Sequence, residues 1–312
     1  MSFPEFAAPE RARRVLCAGI AVFDHVYQMD AFPPPGSKTR AKNYVAVSGG
    51  CAGNAAIALA RLGGIAALTA PLGDPDADPV GQQILDYLAT QDVDCSLSVR
   101  VKGATSPISA IIVDGAGERL IVNHRDERLS AARLADPAKL ARETDAILAD
   151  NRFAEFVLPL CHAAREANKP CVLDGDRPTE ASSLLLRACS HLVFAADGLR
   201  ATAQCDDLGE ALHRIARETD SFIAVTDNAN GTYWLDDGKV RHMPTYRVNA
   251  IDTLGAGDTF HGAFVLALAE GHNEVDAISF STAAAAIKCE RFGGVLGAPH
   301  RQEVLDFLAK NS

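Results

Sequence analysis

Gly255-Ala256-Gly257 followed at once by Asp258 is the segment of this chain best suited to chemistry, and an apolar run from Ala263 to Ala269 follows it and stops at Gly271. Two glycines around an alanine, ahead of an apolar run closed by glycine, predict a tight turn that opens a helix. A helix N-terminus offers backbone N–H groups without intrahelical partners and partial positive charge, so it can hold phosphate oxygens without Lys or Arg. A carboxylate at 258 opposes an anion in the ground state. It makes chemical sense as the group that takes the proton from a hydroxyl attacking the phosphate. A plainer reading makes Asp258 a first-turn acid complementing the helix dipole, and the turn alone leaves both open.

A second glycine segment, Ser48-Gly49-Gly50-Cys51-Ala52-Gly53-Asn54, runs into a helix at 55–62 that stops at Gly63-Gly64. Small residues there let a ligand touch backbone, and Asn54 offers both a donor and an acceptor. The same small residues also serve helix–sheet packing. Asp24 ends the apolar run from Val15 to Val22, as a side chain delivered at the C-terminal end of a buried parallel strand; its plainer reading is a turn or capping Asp.

The elements that must position these groups fall into two kinds. Short alternating segments at 25–29, 40–47, 96–101, 106–113 and 118–124 suit a small, partly exposed sheet. From Asp145 onward strand and helix alternate, with strands at 146–149, 171–174, 191–195, 221–226 and 232–235, which predicts a doubly wound sheet with ligands at its C-terminal strand ends. Asp150, Asn151 and Arg152 fall at one such end, and Asp174-Gly175-Asp176 at the next.

The 312 residues are 48% hydrophobic and 22% charged with a formal net charge of −10. No basic stripe for nucleic acid or lipid is present, so a phosphate ligand must be held by local amides and a few placed cations. The cluster Arg11, Arg13, Arg14 reads as a solvated N-terminal tail. Eight cysteines without a Cys-x-x-Cys pair signal neither zinc nor a disulfide framework. With no signal-peptide core and no membrane-length apolar segment, a soluble cytoplasmic protein is expected.

With both glycine segments placed, the chain resembles the PfkB (ribokinase-like) carbohydrate kinase family over essentially its whole length. The segments that carry the resemblance are Gly49-Gly50-Cys51-Ala52-Gly53-Asn54-Ala55-Ala56 and Asp252-Thr253-Leu254-Gly255-Ala256-Gly257-Asp258-Thr259-Phe260. It implies one α/β domain over 1–312, a doubly wound, mainly parallel sheet flanked by helices, with a β-sheet lid from segments about 24–48 and 96–125. It implies ATP and Mg²⁺ as cofactors, Asp258 as base, and the amides of Gly255, Ala256 and Gly257 as the cradle for the transferring phosphoryl group. Asp24, Gly49, Gly50 and Asn54 would hold sugar hydroxyls, and Thr226 and Gly231 fall where the family has a Thr-x-Gly-x-x-Gly nucleotide loop. Asp252 would serve a monovalent cation, as in some relatives.

Two departures stand out. Asn228 occupies the place of the loop's first glycine, and Ala195-Ala196-Asp197-Gly198-Leu199 replaces the Asn-x-x-Glu motif that organises magnesium in many relatives, so the metal ligands are left unassigned. Finer features, including Gly117-Glu118-Arg119, Leu173-Asp174-Gly175-Asp176 and Lys288-Cys289, are similar to the sulfofructose kinase branch, which implies that Lys38, Asn123 and Arg152 hold a sulfonate. Against this, Lys38 reads as a solvated lid charge and Arg152 as a partner of Asp150 or Asp174. The function read here is an ATP-dependent sugar kinase acting on a primary hydroxyl of a ketose, 6-deoxy-6-sulfofructose first. Alternatives are a fructokinase, ketohexokinase or other neutral-sugar kinase, a nucleoside kinase, for which Phe23, Tyr27, Phe32 and Tyr44 are the lid aromatics, and a non-catalytic sugar-binding regulator. His261, Cys51 and Cys289 read as structural or packing residues. The exposed face of an inserted sheet predicts a homodimer through the lid.

Overall fold

The computed structural model describes Phe6 and residues 11–311. The apolar run at 15–22 does not form one strand. It divides at Gly19, whose φ is +152°, and a Cβ there would lie 2.1 Å from Asp150 Oδ2. The chain thus leaves β1 (Arg14–Ala18) in the main sheet and enters β2 (Val22–Gln28), the first strand of the lid. Asp24, expected at the end of a main-sheet strand, sits in the lid instead, because glycine permits the break and Asp150 braces it.

The lid continues with β3 (Asn43–Gly49). The chain then returns through β4 (Ile65–Thr69), β5 (Pro71–Leu72), β6 (Val93–Asp94) and β7 (Val99–Arg100). It re-enters the lid in β8 (Ile108–Val113) and β9 (Arg119–His124). The remaining strands are β10 (Ala146–Asp150), β11 (Cys171–Gly175), β12 (His191–Ala195), β13 (Phe222–Thr226), β14 (Thr232–Asp236) and β15 (Lys239–Met243). The nine-stranded main sheet runs β15-β14-β13-β12-β11-β10-β1-β4-β6, with β14 alone reversed, antiparallel to both β13 and β15. The lid is β3-β2-β8-β9.

The stretch at 96–101, expected in the lid, is not part of it. Val99 N and Val101 N donate to Ala70 O and Leu72 O, at 2.9 and 2.8 Å, and pin it beside β5 in a separate two-stranded sheet. The expected N-terminal tail is also tied down: Arg11 pairs with Asp145 at 2.6 Å, and Arg14 opens β1 and pairs with Asp94 at 2.9 Å. β15 lacks apolar alternation and is almost wholly exposed, so its sequence gave no strand signal.

Helix Ala256–Ala269 is apolar around nearly its whole circumference and is the core of one face of the sheet. Burying side chains such as Phe264, Val265 and Leu266 contributes about 1.5–3 kcal/mol each, so the turn at its N-terminus stands on a stiff support. It meets helix Cys51–Arg61 backbone to backbone: a Cβ at Gly262 would lie 2.5 Å from Ala55 O. This close approach brings the two glycine segments together. Three of the scattered cysteines, Cys161, Cys171 and Cys189, also converge, their sulfur atoms within 4.8 Å of one another; all are fully buried in an apolar surround and act as small packing residues.

Candidate active site

Gly255 takes a left-handed conformation, φ +78°, and is the N-cap of helix Ala256–Ala269. A side chain there would also press on Val295 N, 3.1 Å from an added Cβ. Within this turn Ala256 N already donates to Thr253 O at 3.2 Å. Asp258 sits in the first helical turn, half-buried, and its Oδ2 accepts from Asn54 Nδ2 at 2.7 Å. Burial raises its pKa, and the Asn54 bond opposes that rise. The Cys51 sulfur and carboxylate oxygens of Asp174 and Asp258 lie within 4.8 Å of one another. Burial, then these acids, push the Cys51 thiol well up, so it stays neutral, in keeping with its reading as a packing residue.

The lid supplies the groups that face this turn. Strand register places Asp24 opposite Ser109, and Ser109 opposite Asn123, so the three form one row on one face of β2, β8 and β9. Asn123 Nδ2 donates to Ser109 Oγ at 3.2 Å. A Cβ on Gly49 would lie 1.8 Å from Asp24 Oδ2, so that glycine exists to admit the carboxylate. Gly50, at φ +86°, backs onto Ile20 O. Burial pushes Asp24 up to about 6, against the Ser109 hydrogen bond.

Beside this row lies a cavity of about 220 Å³ lined by Ile20, Asn123, Arg125, Arg152 and Arg177. Arg152 is paired with Asp176, Nε to Oδ1 at 3.1 Å and Nη2 to Oδ2. Its partner is therefore neither Asp150 nor Asp174. Asp150 is spent on the backbone, accepting from Ile20 N at 2.7 Å and Arg152 N at 2.9 Å. Arg125 donates to Arg152 O at 2.6 Å and stacks over Phe153 at 5.0 Å. Arg177 has its pKa lowered, first by the charge of Arg152. The structure thus unites Asn123 and Arg152 and adds Arg125 and Arg177, which sequence reasoning missed. Lys38 does not join them. It lies on the exposed loop between β2 and β3, which no hydrogen bond of Lys38 ties to the cavity.

Thr226 ends β13, and Gly231 follows a short 3-10 turn at Asn228–Asn230. Gly231 has φ +95° and could not carry a Cβ, which would meet Met243 O at 2.2 Å. Asn228, in place of a glycine, has φ +47°, a conformation Asn tolerates better than most residues. The left-handed backbone at this position is thus one that Asn can adopt in place of glycine. The segment Ala195–Leu199 does not preserve its acid: Asp197 is 99% exposed and pairs with Arg200.

The sequence pattern of the pfkB family carbohydrate kinases matches residues 12–301. The chain belongs to this family. Ribokinase of Haemophilus influenzae is 28% identical over 91% of this chain and 95% of its own length. Rice fructokinase-1 is 24% identical over 87% of this chain and 91% of its own length. A crystal structure from Agrobacterium tumefaciens, provisionally assigned as a ribokinase, superposes with a TM-score of 0.91 at 36% identity, covering 96% of this chain and 98% of that one. Arabidopsis thaliana ribokinase, solved with ribose and ATP, shares the fold with a TM-score of 0.79 at 21% identity over 96% of this chain and 99% of its own. This PfkB protein is a sugar kinase of the ribokinase and fructokinase type, a phosphotransferase with an alcohol acceptor. Among the described residues no helix is long and apolar enough to cross a membrane.

Two features of this PfkB kinase depart from their sequence reading. The carbonyl of Asp252, which the resemblance offered to a monovalent cation, accepts from Lys288 Nζ at 2.6 Å. His261 is buried and hydrogen-bonded as expected, yet it is more than structural. Nδ1 faces Gly257 O at 2.8 Å and Nε2 faces Val193 O at 3.1 Å. Carbonyl oxygens only accept, so the doubly protonated ring is the form that satisfies both contacts. Burial works against that charge, but Asp174 and then the two carbonyls outweigh it and raise the pKa; Asp174 Oδ1 lies 3.6 Å from Nε2. The cation favours ionised Asp258. His261→Gln is expected to move the acid limb of the kcat profile up by roughly one pH unit with little change in KM, read from rates between pH 5 and 9. An unmoved limb would reduce His261 to packing.

Proposed function

We propose that this kinase transfers the γ-phosphoryl group of ATP to a primary hydroxyl of a ketose with an anionic far end, 6-deoxy-6-sulfofructose being the substrate that fits best. The observation that carries the reading is the cavity beside Asp24, where three guanidinium groups converge and, among the described residues, only Arg152 is paired with a carboxylate, that of Asp176. Like charges so placed repel, as the lowered pKa of Arg177 reflects, and an anion relieves the repulsion while taking planar, forked hydrogen bonds. Arg125, Arg177 and Asn123 would hold the anionic group, with Arg152 shared between it and Asp176.

Asp24 and Asn54 orient the sugar by its hydroxyls, and Asp258 takes the proton from the attacking oxygen. The amides of Gly255 and Gly257 would face the charge that develops on the phosphoryl oxygens, with the Ala256 amide committed to Thr253 O, and Thr226 and Gly231 bound the nucleotide side. Phosphoryl transfer needs positioning and charge stabilisation more than covalent help. Mg²⁺ accompanying ATP would neutralise phosphate charge while retaining much of its water. Segment 195–199 does not fit as its ligand, since its one acid faces solvent, and no step is assigned through the metal.

ADP release with ATP, Mg²⁺ and a panel of sulfofructose, fructose, ribose and adenosine tests the reading. The expected result is a kcat/KM for sulfofructose well above that for fructose. Equal values, or a preference for fructose, would place the chain with the neutral-sugar kinases, the reading favoured by its likeness to plant fructokinases.

The outer lid supports a homodimer. Leu120 and Val122 on β9 and Tyr44 on β3, which the register puts on the face opposite Asp24, are 47%, 64% and 51% exposed, a concentration of apolar surface that a second lid would cover. Light scattering at micromolar concentration is expected to give twice the chain mass, and Val122→Asp to halve it; a wild-type monomer would count against the dimer.

A further inference from the structure

Lys288 ends a helix in the core and is fully buried, 0% exposed. Its ammonium donates to Asp252 O at 2.6 Å and lies 3.4 Å from Asp252 Oδ2. The Asp252 carboxylate is otherwise satisfied by backbone: Leu254 N donates to Oδ1 at 2.8 Å, and Gly293 N and Gly294 N donate to Oδ2 at 3.1 and 2.9 Å. Ile251 N and Asp252 N both donate to Cys289 O, at 2.8 and 3.1 Å. The irregular segment leading into the phosphate-binding turn is therefore clamped to the end of this helix around one buried ammonium. A charged lysine with no solvent is costly unless paired. Burial does pull its pKa down, and Asp252 opposes that.

The location gives the charge a purpose. Asp252 lies just ahead of the amides of 255–257, and its carboxylate alone would place a negative charge beside the site where phosphate binds. The ammonium cancels it and orients the Asp252 carbonyl inward, which is what a bound monovalent cation held by the same carbonyl and carboxylate oxygens would do. We propose that Lys288 is a built-in monovalent cation for the phosphate-binding turn, so that turnover needs no K⁺ and removal of the lysine creates a site that K⁺ or NH₄⁺ fills. Lys288 acts through the turn as a positioning residue and does not touch substrate. The proposal rests on 255–257 being that turn.

The test is ADP release with ATP and fructose, or with water as acceptor if fructose is refused, in KCl, NH₄Cl, NaCl and choline chloride. Wild-type turnover in any of these salts tests the kinase reading separately. The wild-type rate is expected to be the same in all four at equal ionic strength. Lys288→Ala in choline chloride is expected to lose on the order of 10²-fold in kcat, with KM little changed, and to regain most of it in KCl or NH₄Cl. Lys288→Met fills the space without charge and is expected to lose as much and regain nothing. Thermal melts in the same salts separate stability from rate. A K⁺-dependent wild type, a Lys288→Met variant with full kcat, or a Lys288→Ala variant whose melting temperature but not kcat responds to K⁺ would each overturn the proposal. Should neither variant fold, the wild-type salt series decides.

Discussion

Asp258→Asn is expected to lower kcat by roughly 10²–10⁴-fold with the fold and the substrate KM values nearly intact. The amide is isosteric, and Asp258 is half-buried on the first turn of a helix whose stability comes from the apolar residues beyond it. Asn54 still finds an acceptor in the new side-chain carbonyl, so the bond now 2.7 Å long to Oδ2 has a substitute. What is lost is the ability to accept a proton from the sugar hydroxyl. Steady-state ADP release with a thermal melt on the same preparation checks both halves; turnover near wild type would remove Asp258 from the role of base. In the wild type, burial raises the Asp258 pKa, so the acid limb of kcat lies above the ordinary carboxylate range and should vanish in the variant. Asp24, raised to about 6 from 3.8, must be ionised to accept sugar hydroxyls and places a second limb in kcat/KM. For the fold itself the sign is opposite. A carboxyl whose pKa is higher folded than unfolded binds more protons in the native state, so Asp24 and Asp150, both raised to about 6, make stability fall as pH rises from about 4 to about 6.

Arg177→Gln is expected to cost roughly 10-fold in kcat/KM for the anionic sugar, the scale of one charge-assisted hydrogen bond from a side chain that is itself exposed, and to leave fructose turnover nearly unchanged. Arg177 is the cleaner of two substitutions. Arg152 is held by Asp176, and Asp176 in turn raises the pKa of Asp258. Arg152→Gln would free that carboxylate and depress turnover of every sugar. Arg177 lines the same cavity with Arg152 as the largest influence on its pKa, so its removal should act on the anion alone. Measuring kcat/KM for sulfofructose and fructose on both variants gives a ratio that stability changes cancel out of. A fall of equal size for both sugars in Arg177→Gln would mean that the cavity does not select charge.

The sequence by itself determined what contiguous residues can encode. The turn at 255–257, the acid after it and the apolar helix behind it are set by local propensity, and the structure keeps them within a residue. The strand-helix rhythm after Asp145 is equally local and held throughout, save for β15. What tertiary structure decided are the groups brought together from distant strands. Arg125 from the end of β9 and Arg177 from beyond β11 meet at the same cavity only because the lid folds over the parallel sheet. Lys38, promising by resemblance, stays on an exposed loop. The charge of His261 depends on a carbonyl 68 positions earlier in the chain, and the role of Lys288 on one 36 positions earlier. Neither has a local signal, because the protonation of a buried side chain is fixed by the acceptors packed around it, and packing is a property of the whole fold.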